Sequence, residues 1–341
     1  MTAPHATAPR TGVDVLDRCR ALVRPALTEA VGRLHPWLGE MAGYAFGWCE
    51  VGGGPARGSS GKGVRQALAV LGAEAVGGSA RAGSTAAVAV ELVHVFSLLH
   101  DDIMDGDASR RGRPTLWAAY GTGPAVLAGD ALFALAVETL AAAPDGGGAV
   151  RLLSTALGDL VRGQADDLLF AGRPWTGPER VRPAEYRLMA ERKTGALLGG
   201  AAALGARLGG APPATVAGLD RAGRELGVAF QIVDDVLGIW GDPAVTGKPV
   251  HGDLREGRRT LPVLVALGAP GGRQLAALLA SGERPEAAAA WIEAAGARAE
   301  ALDEARRSVA RAEAALDAVP LRAGPARELR ALLDFLVRRD L

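Results

Sequence analysis

The feature that most constrains this chain is the helical spacing of its apolar residues, which clusters of Gly and Pro interrupt at intervals. Alternation with a period of two, which a half-buried strand requires, is hard to find, and aromatic residues make up only 4% of the sequence. The clusters predict loops between long helices, at 52–61, 121–124, 144–148, 172–178, 209–213 and 268–272. The sequence therefore predicts an all-α protein.

No composition shift or linker divides the 341 residues into separate domains. We expect a flexible N-terminal tail over 1–14 and one domain over 15–341. Residues 284–317 are rich in Ala and carry mixed charge, which predicts a solvated outer helix.

Charge and hydropathy argue against several kinds of partner. Lys plus Arg and Asp plus Glu both number 38, so net charge gives no reason to expect nucleic acid or an acidic membrane surface. We expect Gly, Pro or charge to interrupt each apolar stretch before about 18 residues, so no membrane span is predicted. Cys19 and Cys49 need not form a disulfide. A reducing, cytoplasmic location is the simplest prediction.

Two acidic clusters follow apolar runs. On a helix, Asp101 and Asp105 lie one turn apart and face the same way, with Asp102 beside them. Asp234 and Asp235 form the second cluster. Carboxylates this close repel one another and need a compensating cation, and oxygen ligands without His or Cys favour Mg²⁺. One such pair alone would more often cap a helix or face solvent, but two pairs in apolar surroundings favour a metal site.

The basic residues indicate a site for anions. Only three of the 38 are lysines, and each lies in a short Gly- or Thr-containing segment: Lys62, Lys193 and Lys248. Lysine suits phosphate oxygens as a point charge, while arginine offers a bidentate fork. Arginines follow both acidic clusters, at Arg110, Arg111, Arg113, Arg255, Arg258 and Arg259. Carboxylates, a divalent cation and a basic rim together predict a diphosphate site.

Seven motifs in order resemble the trans-prenyl diphosphate synthases (polyprenyl synthetases), which include farnesyl and geranylgeranyl diphosphate synthases. Across about residues 60–265 these are Gly61-Lys62-x-x-Arg65 with His94, Asp101-Asp102-x-x-Asp105, Ala128-Gly129-Asp130, Gly163-Gln164-x-x-Asp167, Lys193-Thr194, Gln231-x-x-Asp234-Asp235 and Gly247-Lys248. Each motif alone is weak, and the ordered set is specific. The resemblance implies the isoprenoid synthase fold, a single-domain bundle of long helices around a central cavity, in a homodimer.

The resemblance also implies a reaction and the residues that perform it. Isopentenyl diphosphate would condense head to tail with an allylic diphosphate, and the two acidic motifs would face each other across the cavity mouth. Three Mg²⁺ ions per site would be held by Asp101, Asp102, Asp105 and Asp234. The isopentenyl substrate would be bound by Lys62, Arg65, His94 and Arg111. The allylic diphosphate would be held by Arg110, Lys193 and Lys248, with Arg258 near the cavity mouth. The carbocation would be shielded, and proton loss guided, by Lys193, Thr194 and Gln231.

One departure from the family pattern leaves two alternatives open. Gly238 stands at the fifth position of the second acidic motif, where many relatives carry Asp. The chain could be a terpene synthase on the same fold, or a non-catalytic subunit that regulates a partner synthase. An intact Lys62, Arg65 and His94 set argues against a terpene synthase, which has no use for isopentenyl diphosphate. The complete first acidic motif argues against a non-catalytic subunit.

Product length depends on the side chains that precede the first acidic motif. Phe96 and Ser97 lie five and four residues before Asp101, where a helix would place the floor of the product cavity. One bulky and one small residue predict an all-trans product of medium length, with geranylgeranyl diphosphate first and farnesyl diphosphate second. Ordinary core packing is an equally open role for Phe96.

Overall fold

The computed structural model describes residues 11–56, 61–243 and 250–337. Helices supply nearly all of the regular structure in this part of the chain, which confirms the all-α prediction. The helices are α1 (Gly12–Val31), α2 (Pro36–Ala45), α3 (Val64–Ala75), α4 (Ala80–Met104), α5 (Leu116–Tyr120), α6 (Thr122–Ala141), α7 (Gly146–Ala171), α8 (Pro183–Ala190), a π-helix (Glu191–Gly195), α9 (Ala196–Leu208), α10 (Pro213–Trp240), α11 (Gly252–Arg255), α12 (Leu261–Gly268), α13 (Gly272–Ser281), α14 (Pro285–Ala294), α15 (Ala297–Asp317) and α16 (Ala323–Val337).

The first helix begins within the range predicted as a tail. Thr11 caps α1, because its hydroxyl accepts from Asp14 N at 3.3 Å while its own backbone N–H donates to the Asp14 carboxylate at 2.9 Å. This reciprocal pair satisfies two backbone N–H donors at the helix start and fixes the first turn. Residues 1–10 of the predicted tail lie outside the described residues.

The outer helix predicted over 284–317 is two helices. α14 ends at Ala294 and α15 begins at Ala297, and Gly296 between them has φ 73°, a backbone conformation that favours glycine. α15 also buries a stripe of small side chains that includes Ala301, Ala305 and Ala312. The solvated surface that the sequence predicts is therefore one side of this helix.

A short β-hairpin, which the sequence analysis did not predict, follows the first acidic motif. Strand β1 (Ser109–Arg110) pairs antiparallel with β2 (Arg113–Pro114). The two residues of the turn, Arg111 and Gly112, have φ 53° and 74°. Positive φ at both turn positions matches the twist of a tight hairpin. The hairpin holds three of the arginines that follow the motif in fixed positions.

The described residues fall into two compact units. The first lies within Met1–Val150, Ala201–Ala217 and Val319–Arg338, and the second within Arg151–Gly200 and Gly218–Ala318. In the first unit, α4 packs against α1, α3 and α6 and is the central core helix. In the second unit, α12 packs against α8 and α15. One domain over 15–341 stays a prediction.

Two helices, α4 and α6, are long and apolar enough to cross a membrane by length and composition. Both helices contain the predicted interruptions, Glu91 in α4 and Asp130 and Glu138 in α6, so the absence of a membrane span stays a prediction. In α4, 61% of the apolar window is buried, as befits a core helix, but in α6 the share is 39%. Much of the apolar surface of α6 is thus left uncovered by the described part of the chain.

Candidate active site

Two of the residues predicted to bind isopentenyl diphosphate meet in the first unit. Arg65 on α3 and His94 on α4 approach each other, with 3.3 Å between Arg65 Nη1 and His94 Nε2. Because arginine can only donate, Nε2 of the imidazole accepts this hydrogen bond and the proton lies on Nδ1. Burial, together with the positive charges of Arg65 and Arg111, holds the pKa of His94 well below its usual range. The imidazole is therefore neutral at physiological pH and can donate from Nδ1.

The segment that carries Lys62 lies against the hairpin. The Arg111 guanidinium packs on Gly61, where a Cβ atom would lie 3.1 Å from Nη1. Arg20 on α1 donates from Nη2 to the Lys62 carbonyl oxygen at 3.0 Å, which fixes the backbone of the segment. The first unit thus brings the Lys62 segment next to Arg111, and Arg65 next to His94.

The first acidic motif has its neighbouring carboxylates in different surroundings. Asp101 is half-buried and Asp105 is exposed, and the hydrogen bond from Asp105 N to Asp101 O (2.8 Å) keeps them one turn apart. Asp102 is only 3% exposed, and Arg110 contacts its Oδ1 with Nε at 2.7 Å and Nη2 at 2.6 Å. Burial raises the pKa of Asp102 despite this arginine. Asp102 and Arg110, predicted to bind metal and allylic diphosphate, here bind each other.

The residues of the first motif fit Mg²⁺. Within the described ranges, no group of three or more His, Cys, Asp and Glu side chains is gathered into a complete metal cage. Mg²⁺ does not require one, because it commonly binds through one or two carboxylates and keeps waters and phosphate oxygens as its other ligands. Asp101 and Asp105, with oxygen donors on one side of α4, meet that requirement.

In the second unit, a π-helical turn carries two of the predicted catalytic residues. Lys193 and Thr194 lie in Glu191–Gly195, between α8 and α9. Short π-helical insertions are frequent at functional sites because they re-aim side chains within a helix. The backbone of this turn presses on Gly163 of α7, where a Cβ atom would lie 2.2 Å from Lys193 N. Lys193 Nζ contacts the Asp167 carboxylate at 2.5 Å, so this acid of the Gly-Gln-x-x-Asp motif holds the ammonium group.

A hydrogen-bonded chain links Thr194 to the second acidic motif. Thr194 Oγ1 donates to Gln231 Oε1 at 2.8 Å, and Gln231 Nε2 donates to Asp235 Oδ1 at 3.0 Å. The other oxygen of Asp235 accepts from the Tyr186 hydroxyl at 2.5 Å and from Leu261 N at 3.1 Å. Because each link fixes the next, the orientation of the Thr194 and Gln231 side chains depends on this buried carboxylate.

The two aspartates of the second motif point in different directions. Asp234 is exposed, whereas Asp235 is 5% exposed. Burial and the nearby negative charge of Asp253 raise the pKa of Asp235 to about 7, although three donors favour its charged form. The Asp234 carboxylate is therefore accessible to a metal ion, whereas the Asp235 carboxylate binds α10 to Tyr186 and Leu261.

Asp253 explains the glycine at the fifth position of the second motif. A Cβ atom on Gly238 would lie 2.0 Å from Asp253 Oδ2, so the buried Asp253 carboxylate occupies the space that a side chain at 238 would need. Position 238 itself carries no acid, and α11 instead places the Asp253 carboxylate next to it.

Three further predicted residues have varied surroundings. Phe96 packs against His100 and Phe133, with ring centroids 4.8 Å and 5.6 Å apart. Arg258 Nε contacts the Glu256 carboxylate at 2.6 Å and lies 4.0 Å from Asp253 Oδ1. Lys248 lies outside the described residues.

Sequence reasoning gave no role to several residues that build these sites. Tyr186 carried no signal, because its partner Asp235 is 49 positions away. Glu91 did carry one, since a single acid within the apolar run before the first motif must be paired or neutral once it is buried. Asp167 belongs to one of the seven motifs, but its ion pair with Lys193 becomes visible only in the structure.

The all-helical architecture is that of the isoprenoid synthases, and residues 56–295 match the polyprenyl synthetase family. The chain is 42% identical to (2E,6E)-farnesyl diphosphate synthase of Mycobacterium tuberculosis over 343 residues, 97% of this chain and 94% of that protein. It is 48% identical to geranylgeranyl diphosphate synthase of the same organism over 259 residues, 75% of this chain and 73% of that one. The crystal structure of polyprenyl synthetase from Streptomyces coelicolor A3(2) superposes with a TM-score of 0.89, at 46% identity and with 95% and 98% of the two chains covered.

The chain belongs to the polyprenyl synthetase family, whose members are prenyltransferases that use Mg²⁺. The predicted family, fold class and enzyme class are confirmed.

Proposed function

We propose that this protein condenses isopentenyl diphosphate with an allylic diphosphate to give an all-trans prenyl diphosphate. The observation that carries the proposal is the cationic site of the first unit, where Arg65 contacts His94 and Arg111 packs on Gly61, the neighbour of Lys62. An enzyme that ionises and cyclises one substrate needs no second diphosphate site. This favours chain elongation over the terpene synthase alternative.

The reaction breaks the allylic C–O bond, and the electron pair leaves with the diphosphate. The double bond of isopentenyl diphosphate attacks the carbocation, a C–C bond forms, and the released diphosphate takes the proton. Lys193, Thr194 and Gln231 are proposed to line the carbocation, since the buried chain through Asp235 fixes Thr194 and Gln231 in advance. Lys193, Arg258 and Lys248 are proposed to hold the allylic diphosphate.

Mg²⁺ is proposed to be held by Asp101, Asp105 and Asp234, with three ions per site. When bound, it would stabilise the charge that develops on the departing diphosphate. The exposure of Asp105 and Asp234 supports this assignment, while Asp102 supports the motif from its buried position beside Arg110.

The test is to incubate the purified protein with Mg²⁺, isopentenyl diphosphate and dimethylallyl, geranyl or farnesyl diphosphate, then to separate the dephosphorylated products by chromatography. We expect linear alcohols longer than the primer by one or more C5 units, and none when EDTA is present. Cyclic products formed without isopentenyl diphosphate would favour the terpene synthase. Absence of turnover without a partner protein would favour the regulatory subunit.

Geranylgeranyl diphosphate is the proposed main product, with farnesyl diphosphate second. Relatives of both kinds are similar to this chain, so identity does not decide between them. Phe96 fills the space between α4 and α6 by stacking on Phe133, and Phe96→Ala is expected to open that space and lengthen the product by one or more C5 units. Ser97→Phe, on the side of α4 that bears Asp101, is the matched test of the other candidate floor. If Phe96→Ala leaves the product unchanged and Ser97→Phe shortens it, Phe96 is core packing.

We also propose that the enzyme is a cytoplasmic homodimer. α6 exposes Val126, Leu127 and Phe133 on an apolar helix, and a second copy of the chain could cover this surface. Light scattering on the purified protein should give twice the chain mass, and Leu127→Glu should reduce it. A monomeric protein that sediments with lipid vesicles would instead indicate that α6 meets a membrane.

A further inference from the structure

A buried acid lies beneath the cationic site of the first unit. Glu91, on α4, is 9% exposed and lies one helical turn before His94. Burying a carboxylate costs several kcal/mol unless charges and hydrogen bonds offset the loss of water. The residues around Glu91 provide both.

Two adjacent residues of α3 face two residues of α4 one turn apart. Arg65 contacts His94, and the neighbouring Gln66, itself 7% exposed, donates a side-chain hydrogen bond to Glu91. α3 and α4 are therefore joined by two successive contacts, and one of them pairs two residues predicted to bind isopentenyl diphosphate, Arg65 and His94. A shift of Glu91 would move Gln66 and, through the α3 backbone, Arg65.

The acid also lies among the positive charges of the site. Burial raises the pKa of Glu91, whereas the charges of Arg65, Arg111 and Arg20 favour its ionised form. These arginines come from α3, the hairpin and α1, and each reaches the Lys62 segment or His94. The positive charges of these guanidinium groups repel one another, and the ionised form of a nearby carboxylate offsets that repulsion.

We propose that Glu91 is a positioning residue for the isopentenyl diphosphate site, holding Arg65 and Arg111 in the arrangement that binds the diphosphate group. It does not touch the substrate. The proposal rests on the proposed function of Lys62, Arg65, His94 and Arg111. It predicts an effect confined to one of the two substrates.

The test compares Michaelis constants for isopentenyl diphosphate and for the allylic diphosphate in Glu91→Gln, which keeps the shape and removes the charge. We expect the KM for isopentenyl diphosphate to rise about tenfold, the size of effect that one charge-assisted contact gives. The KM for the allylic substrate and kcat should change less than about twofold. Glu91→Asp, which restores the charge on a shorter side chain, should recover part of the loss.

The matched control is Glu74→Gln, which removes a partly buried acid of α3 that is paired with Arg18 through two 2.8 Å contacts. It should lower thermal stability and leave both KM values unchanged. Gln66→Met serves as a milder variant, since it leaves the Glu91 carboxyl group in place and should raise the same KM by a smaller factor.

Equal changes in both KM values, or unchanged KM values in folded Glu91→Gln, would overturn the proposal. A wild-type protein that makes no product from isopentenyl diphosphate would overturn the proposed function itself, so the two failures are distinguishable.

Discussion

The two acidic motifs bury one aspartate each, but they stabilise it differently. In the first motif a guanidinium group meets the buried carboxylate, with Arg110 in contact with Asp102. In the second, neutral donors surround Asp235, and a second acid, Asp253, lies near enough to raise its pKa. The neighbouring acids of both motifs keep exposed surface. The comparison indicates a division within each motif between an acid that anchors the helix and acids that can bind metal.

The largest effect should come from separating these roles in the first motif. Asp101→Asn is expected to lower kcat by about a hundredfold to a thousandfold, because one group that stabilises transition-state charge supplies about that much, and to raise the Mg²⁺ concentration needed for half-maximal activity. Asp102→Asn should leave the Mg²⁺ dependence nearly unchanged and lower the melting temperature, since Arg110 loses the nearer of its two carboxylate partners. Because the same substitution is made at two neighbouring positions, each variant is the control for the other. An equal shift of the Mg²⁺ midpoint in both would contradict the division.

The next effect tests whether the first unit binds a second substrate. Arg65→Met is expected to raise the KM for isopentenyl diphosphate by about ten- to a hundredfold, because a lost hydrogen bond to a charged group costs about 1.5–3 kcal/mol. The KM for the allylic substrate should change little. Arg18→Met, at a partly buried arginine of α1 that contacts Glu74 and Glu328, is the control. If Arg65→Met affects both substrates alike, the cationic site is not specific to one of them.

The sequence predicted the fold class and many of the site residues because both are expressed locally. Helical spacing fixes which faces are apolar, and Asp101 and Asp105 lie one turn apart in any helix. The rest depended on tertiary contacts. Nothing in the spacing of Asp101, Asp102 and Asp105 says that the middle acid contacts Arg110, because Arg110 lies on a hairpin that the sequence analysis did not predict.

The continuity of the two long apolar helices was hidden in the sequence for a related reason. In the sequence, Glu91 and the glycines of α4 and α6 interrupt the apolar runs. In the structure, both helices continue through these residues. A buried pairing partner such as Gln66 lets an acid stay inside a core helix, and this partner is visible only in the fold.

A smaller effect concerns the glycine of the second motif. Gly238→Ala is expected to lower the free energy of unfolding by about 1–3 kcal/mol, the usual cost of overpacking, because its new Cβ would meet the buried Asp253 carboxylate. Gly158→Ala is the control, since its nearest neighbour is the end of the Arg162 side chain at 3.6 Å. There the lower flexibility of alanine should stabilise the helix slightly. Urea unfolding measures both.

Adding Asp253→Ala to Gly238→Ala tests the cause of that loss. If the clash is the reason, the double variant should lose less than the sum of the two single variants, because removing the carboxylate vacates the space. Simple additivity would mean that Gly238 is needed for another reason.

The smallest effect follows from the different partners of the two buried acids and appears as a pH dependence. The folded pKa of Asp235 is about 7, while an aspartate in an unfolded chain titrates near about 3.9. Between these values the folded state binds more protons than the unfolded state, so this contribution to stability is present at low pH and is lost as pH rises toward 7. In metal-free buffer, the free energy of unfolding of wild type should therefore fall by on the order of 1 kcal/mol relative to Asp235→Asn between pH 5 and 7. A constant difference between the two proteins across this range would show that Asp235 does not take up a proton there, and the effect assigned to its neutral donors and to Asp253 would fail.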